Sequence, residues 1–494
     1  MAAIIAQAGT EHRCKKDLAL TLACHKKAVF SPTTSPSLEH GTLQRRRFLQ
    51  SLAVAAVAPS VPAAIRAAES RFAALRPDPD RIIDLPAGFS YRILSRAGER
   101  MDDGLQVPNA HDGMAAFAAD NGRIILVCNH ELAIDELQLS AYGPDVGAIP
   151  DFVWSKMYDA GQRKTPSAGG TTTTIYDPAS GRVERRFLSL AGTEINCAGG
   201  PTPWGSWLSC EESFSNPGSF LGRHREQPHG YVFEVPAQAA GLVEPQPIKA
   251  MGKFMHEAAA VHAASGIVYL TEDRHNSLFY RYIPNQRGQL LAGGRLQALA
   301  IVGNPSFTTD NWSQLPDLRV GESLPTRWLD LDQVDRDTDD LREDGADLGA
   351  ARFARGEGLW ATGDCLAFTC TIGGRARLGQ VFSYMPSAHE GTPQENDSPG
   401  QLTLIAEANE NSLLQNADNI TLAPWGDLLV CEDTGAHCGI VGIGPDGTQY
   451  TIADNAYSNS ELAGACFSPA GDILFVNIQY PGMTLAITGP WPSA

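Results

Sequence analysis

Cys197 stands in the run Asn196-Cys197-Ala198-Gly199-Gly200, a glycine loop where packing has no need of a thiol. A thiolate there is a soft ligand for iron or another transition metal. The chain then passes a Gly/Pro-rich turn and a short apolar strand and ends in two carboxylates, Glu211-Glu212. The pattern recurs in Ser265-Gly266-Ile267-Val268-Tyr269-Leu270-Thr271-Glu272-Asp273 and in Trp425-Gly426-Asp427-Leu428-Leu429-Val430-Cys431-Glu432-Asp433, the first acid always six residues after the glycine. Because strand side chains alternate faces, Glu211, Glu272 and Glu432 are expected at equivalent places on copies of one unit, which suggests a metal site. Ahead of each glycine turn lies a further polar residue: Asp112, Cys197, Glu257, Glu357, Asp418 or Asn419, and, in a looser register, Glu461. So many like charges in one volume would raise one another's pKa values and resist burial. Calcium, which accepts six to eight oxygen ligands in irregular geometry, resolves that conflict.

Positioning these groups is the task of a repeat. Three weaker copies complete six units: Gly122 to Cys128-Asn129-His130-Glu131, Gly363 to Thr369, and Gly471 to Asn477. Each unit is followed by an apolar or aromatic strand that stops at a proline, as at Val235-Pro236 and Ile283-Pro284. Short strands with Gly/Pro turns and little helical periodicity predict an all-β fold, a six-bladed propeller with loop and helical insertions at 132–168 and 288–354. Its inner strands would converge on one channel, with Asn129, Glu211, Glu272, Thr369, Glu432 and Asn477 at similar depth. The segment Leu85 to Leu94 is expected to add a strand to the last blade. Cys128, Cys210 and Cys431 read as small core residues. The acidic run Asp330 to Asp347 reads as a solvated surface segment.

Residues 1–68 read as an N-terminal extension and export signal, and 69–494 as one propeller domain. Gln44-Arg45-Arg46-Arg47-Phe48-Leu49-Gln50 precedes the apolar run 51–61, and small residues follow at Ala63, Ala64, Ala67 and Ala68. This matches a twin-arginine signal, hence a periplasmic or secreted protein that meets the translocation machinery and takes up its cofactor before export. The segment is too short to span a membrane. Residues 1–68 carry nine Lys/Arg and three Asp/Glu, so the rest holds 29 bases against 53 acids, a formal charge near −24. That surface disfavours nucleic acid and anionic lipid. A Walker loop, HExxH and GxSxG are all missing from the sequence. His111, His130, His256, His262 and His275 are scattered and read as structural.

The chain resembles the PhoX-type alkaline phosphatases from about Leu85 to Trp491. The marks are Asn196 to Glu212, Met251-Gly252-Lys253-Phe254-Met255-His256-Glu257, Arg355-Gly356-Glu357-Gly358, Gly379-Gln380-Val381-Phe382, Cys431-Glu432-Asp433, Asn477-Ile478-Gln479-Tyr480-Pro481-Gly482 and Gly489-Pro490-Trp491. The resemblance implies a six-bladed propeller, a cluster of ferric iron and calcium, and phosphate monoester hydrolysis at alkaline pH; the chain is expected to act as a monomer. It implies that Cys197 binds iron, that Arg355 binds phosphate, and that Glu357 acts beside it as a metal-bound carboxylate. Glu211, Glu257, Glu272 and Glu432 are the other implied metal ligands. This chain is a compact member of the group.

In that chemistry the cations and Arg355 offset the charge on the transferring phosphoryl group, and the nucleophile is a metal-held oxide or hydroxide. No protein nucleophile is required. Two alternatives keep the fold: a calcium-only hydrolase of diesters, triesters or lactones, and a non-catalytic binding propeller. Neither has a use for Cys197 together with Arg355.

Overall fold

The computed structural model describes residues 71–493 apart from 221 and 314–317. The expected extension and signal, residues 1–68, lie outside the described residues. The described chain is all-β, with sheets in a propeller-like arrangement and two short α-helices, Asp151–Trp154 and Leu341–Asp347, in the insertions. Six inner strands, His111–Ala118, Asn196–Pro201, His256–Val261, Gly356–Ala361, Ala417–Leu422 and Leu462–Phe467, pack side by side in a closed ring.

The sheets outside that ring are not the six equal blades expected. Four sheets have four strands or more, with six, nine, four and four strands; the other two have three and two. The cause is the insertion 288–354. Its strand Ser323–Asp330 pairs with Gly294–Ile301 on one side and Gln401–Glu407 on the other, merging two meanders into the nine-stranded sheet. The N-terminal segment closes two sheets. Ser90–Arg96 pairs with Met483–Thr488, as expected, and Ile83–Pro86 also pairs with Gln449–Asn455. Phe72, Phe89, Trp425 and Trp491 pack edge-on and stacked where these ends meet.

All six inner strands carry the same irregularity at the same place. Asn196 pairs with Glu211 and Gly199 with Ser209, so Cys197 and Ala198 oppose the single residue Cys210. The same two-against-one bulge sets Asp112-Gly113, Glu257-Ala258, Glu357-Gly358, Asp418-Asn419 and Gly464-Ala465 against one residue each. A bulge bends its strand and re-aims side chains. Here it aims one residue per inner strand: Asp112, Cys197, Glu257, Glu357, Asp418 and Gly464. Glu461, expected in this ring, lies just before its strand, and Gly464 has the equivalent place. A side chain at Gly464 would collide with the Asp112 carbonyl, so the last sheet contributes no ligand there.

Polar side chains fasten four of the bulges to a neighbouring strand. Asn129 Nδ2 donates to the Cys197 and Ala198 carbonyls at 3.2 and 2.7 Å. Thr271 donates to the Glu357 carbonyl at 2.6 Å, Thr369 to that of Asp418 at 2.5 Å, and Asn477 to that of Asp112 at 2.5 Å. Buried carbonyls without partners would each cost about 1–3 kcal/mol, so these clasps fix the ring against the sheets. Asn129, Thr369 and Asn477 are therefore fasteners; Asn477 shares the register of Glu211, Glu272 and Glu432 as expected, and Asn129 and Thr369 lie one position away from it. Asn129 and Thr369 face the bulges, whereas the three acids and Asn477 pair with the residue before them.

Candidate active site

At one end of the ring Cys197, Glu212 and Glu257 bring ligand atoms within 4.8 Å of one another, all buried. Cys197 and Glu257 are the bulge residues of adjacent inner strands. Glu212 follows the strand Ser206–Glu211 and is placed by its backbone N–H, which donates to the Ile195 carbonyl at 2.9 Å. Burial pushes the Cys197 thiol well above its ordinary pKa, and the carboxylates of Glu257 and Glu212 push it further. Its Sγ lies 3.3 Å from the His256 carbonyl and 3.5 Å from that of Glu257. Left to itself this crowding keeps the thiol protonated; a cation placed among these groups would favour the ionised form of every member.

Sequence reasoning missed Glu212 by one residue. Glu211, expected as a ligand, points the other way. Its Oε1 takes His229 Nδ1 at 2.6 Å and the Glu194 N–H at 3.0 Å, and its Oε2 takes the N–H groups of Gly230 and Tyr231 at 2.9 and 3.2 Å. Burial opposes charge on His229, but Glu194, Glu211 and Asp159 overcome it and raise the imidazolium pKa to about 10. Arg225 pairs with Glu194 in the same buried network. Glu272 likewise turns to Tyr280 Oη at 2.7 Å and Arg342 at 3.6 Å, and Glu432 accepts from the Gln415 N–H at 2.8 Å. Burial raises both carboxyls to about 7. Strand alternation is the reason: the second acid of each pair, Glu212 or Asp273, takes the face the first does not.

Asp273 leads to the second part of the site. Arg355 Nε and Nη2 clamp both Asp273 oxygens at 2.7 and 2.6 Å, and Nη2 also reaches Glu357 Oε1 at 2.9 Å. Thr371 Oγ1 donates to the same Glu357 oxygen at 2.8 Å. Arg355 and Glu357 thus share a face as expected, but the guanidinium fork is held by Asp273, so a phosphate must share it or exchange with that carboxylate. The left-handed backbone of Arg355, φ 59°, recurs at Ala110, Ile195 and Asn416, each the residue before an inner strand. It belongs to the repeat and not to the chemistry. On a third side Gln479 Nε2 bridges Asp112 at 2.8 Å and Glu131 at 2.6 Å.

The remaining expectations resolve simply. Among the described residues all eight cysteines are free and buried, and burial lifts the Cys128 thiol to about 12. His111, His130 and His256 are buried with depressed pKa values and bonds to Pro108, Asn109 and Gly252 carbonyls. The acidic run 330–347 is a strap laced by ion pairs, Asp335 to Lys249 at 2.9 Å, Asp339 to Arg274 at 2.6 Å and Asp344 to Arg336 at 2.6 Å. A surface cavity of about 860 Å³ against residues 76–96 shares no residue with the carboxylate cluster. No helix among the described residues is long and apolar enough to cross a membrane.

Fold and site together define a propeller-like protein with a polyanionic axial site that calls for cations. The chain belongs to the alkaline phosphatase PhoX family, which its residues 70–482 match, and it is accordingly a phosphatase of that metal-dependent family. Its fold is similar to that of Pseudomonas fluorescens PhoX in complex with vanadate, a transition state analogue, at 17% identity, with 85% of this chain and 97% of that one covered and a TM-score of 0.61. More distant are a gluconolactonase of Xanthomonas campestris, at 10% identity over 88% and 99% of the two chains with a TM-score of 0.38, and a streptogramin B lyase, at 10% identity over 82% and 98% with a TM-score of 0.34. No individually curated protein matches the sequence.

Proposed function

We propose that this phosphatase hydrolyses phosphate monoesters with iron and calcium held at the ring of bulge residues. The observation that carries the reading is the buried Cys197–Glu212–Glu257 group, within 4.8 Å, beside the Arg355–Asp273–Glu357 chain of charge. The donors fit: one thiolate with two carboxylates suits iron, and Glu357, Asp418 and Asp112, at the same place on other inner strands, supply the oxygens calcium prefers. Bound there, the ions would neutralise phosphate charge and make coordinated water acidic.

The protein's own groups do the rest. Arg355 binds and orients two phosphate oxygens through its fork, Asp273 holds that fork in its plane, and Thr371 fixes the Glu357 carboxylate against it. Glu131 and Gln479 keep Asp112 in place. The inner ring counts as six radial units if the nine-stranded sheet is taken as two blades joined by Ser323–Asp330. The twin-arginine motif supports export of the loaded, folded monomer to the periplasm or beyond, where a small phosphorylated compound is the partner.

Purified protein assayed on p-nitrophenyl phosphate, bis(p-nitrophenyl) phosphate and a lactone tests this. Fastest turnover of the monoester, lost after exhaustive chelation, is expected. Faster diester or lactone turnover, or full activity after chelation, contradicts it.

A further inference from the structure

We propose that Trp312, with His275 and Arg377 against it, forms a shelf beside the phosphate site that holds a planar aromatic leaving group. The inference rests on the monoester reading above and narrows its substrate class.

The backbone puts the shelf next to Arg355. His275–Ser277 and Phe353–Ala354 form the two-stranded sheet, with His275 opposite Ala354, the residue before Arg355. The Arg355 N–H donates to the Arg274 carbonyl at 3.2 Å, and the Thr371 N–H donates to the Arg355 carbonyl at 3.1 Å. His275 therefore follows one backbone partner of Arg355, and Ile372 follows the other. Trp312 is tied to that second segment by its indole N–H, which donates to the Ile372 carbonyl at 3.1 Å.

The three side chains lie in contact. The His275 and Trp312 ring centroids are 4.8 Å apart at 36°, and the Arg377 guanidinium carbon is 4.0 Å from the indole centroid. Trp312 is half-buried, while His275 and Arg377 are exposed. An imidazole, an indole and a guanidinium placed together present flat, polarisable surface, to which planar groups stack. On a chain this acidic, the exposed Arg377 also makes a local exception that favours an anionic ester. A phosphate on Arg355 joins its leaving group through one oxygen, so a flat leaving group would reach the shelf while the phosphate stays on the fork. Aryl phosphates and nucleoside monophosphates share that chemistry; a polyol phosphate does not.

The test compares adenosine 5′-monophosphate with glycerol 3-phosphate on metal-loaded wild type, Trp312→Ala, Trp312→Phe and Arg377→Ala. Trp312→Ala is expected to lower kcat/KM for the adenosine ester about 10-fold, mainly through KM, and to leave glycerol 3-phosphate unchanged. Trp312→Phe should recover most of the loss, and Arg377→Ala should show a smaller loss of the same selectivity. Equal losses on both esters, or none on either, overturn the shelf. Should Trp312→Ala fail to fold, the exposed variants Arg377→Ala and His275→Ala decide by the same ratio. Wild type inactive on both esters with its metals bound would overturn the monoester reading and the shelf with it; active wild type with unchanged ratios overturns the shelf alone.

Discussion

The two sides of the channel manage negative charge in opposite ways. On the Cys197 side a thiol and two buried carboxylates converge within 4.8 Å, and burial drives the thiol toward its proton. On the Arg355 side two carboxylates, Asp273 and Glu357, share one guanidinium at 2.6–2.9 Å. The first arrangement needs a cation from outside and the second brings its own. A site built from both can hold ions firmly and still offer a charge partner that exchanges, since an arginine fork releases one carboxylate for a phosphate without moving metal.

Removing the ligand side should have the largest effect. Cys197→Ala is expected to lose iron and to lower turnover roughly 10³-fold or more, beyond what the loss of a single hydrogen-bond donor does; elemental analysis and p-nitrophenyl phosphate assays read both. A variant that keeps iron would dissolve the contrast between the two sides. Arg355→Ala should keep its metals yet fall about 10²-fold in turnover, with Arg355→Lys recovering little because a point charge does not replace the fork. Unchanged turnover in the alanine variant would make Arg355 only the counter-charge of Asp273 and Glu357.

A smaller, purely structural effect should come from the network behind Glu211. With the His229 pKa raised from 6.5 to about 10 in the folded state, its pairing stabilises fully below pH 6.5 and the benefit is lost as pH rises toward 10. His229→Gln is therefore expected to lower stability by about 3–5 kcal/mol near neutral pH, with the gap to wild type closing by about pH 10. Denaturant titrations across that pH range check it. A gap that widens with pH would mean the imidazole is neutral in the fold.

Much of this was legible before any coordinates. The glycine-to-acid phrase located the strands next to the ring, and it placed Asp112, Cys197, Glu257, Glu357 and either Asp418 or Asn419 at equivalent points, a choice that only the bulge resolves. What failed was parity. Glu211 and Glu212 are both acids at a strand end, and with side chains alternating faces only one of them can point at Cys197; nothing in composition says which. The sixth bulge position is a glycine, so looking for a polar side chain ahead of each glycine turn leads to Glu461, three residues before Gly464, which pairing puts there. Ser323–Asp330 includes a proline and two charges, hides its strand character, and so concealed the merging of two sheets. Arg355 and Glu357 were readable because two residues apart on an extended chain share a face. Asp273, which holds the arginine, is the second acid of its pair and was passed over with Glu212.

The central claim is that the second acid of the strand-end pair, not the first, faces the metals. Metal content of purified Glu212→Gln beside Glu211→Gln tests it directly. The account predicts that Glu212→Gln loses iron while remaining folded, and that Glu211→Gln keeps its full metal content at reduced stability because His229 loses a buried partner. Full metal in Glu212→Gln with loss in Glu211→Gln would contradict it.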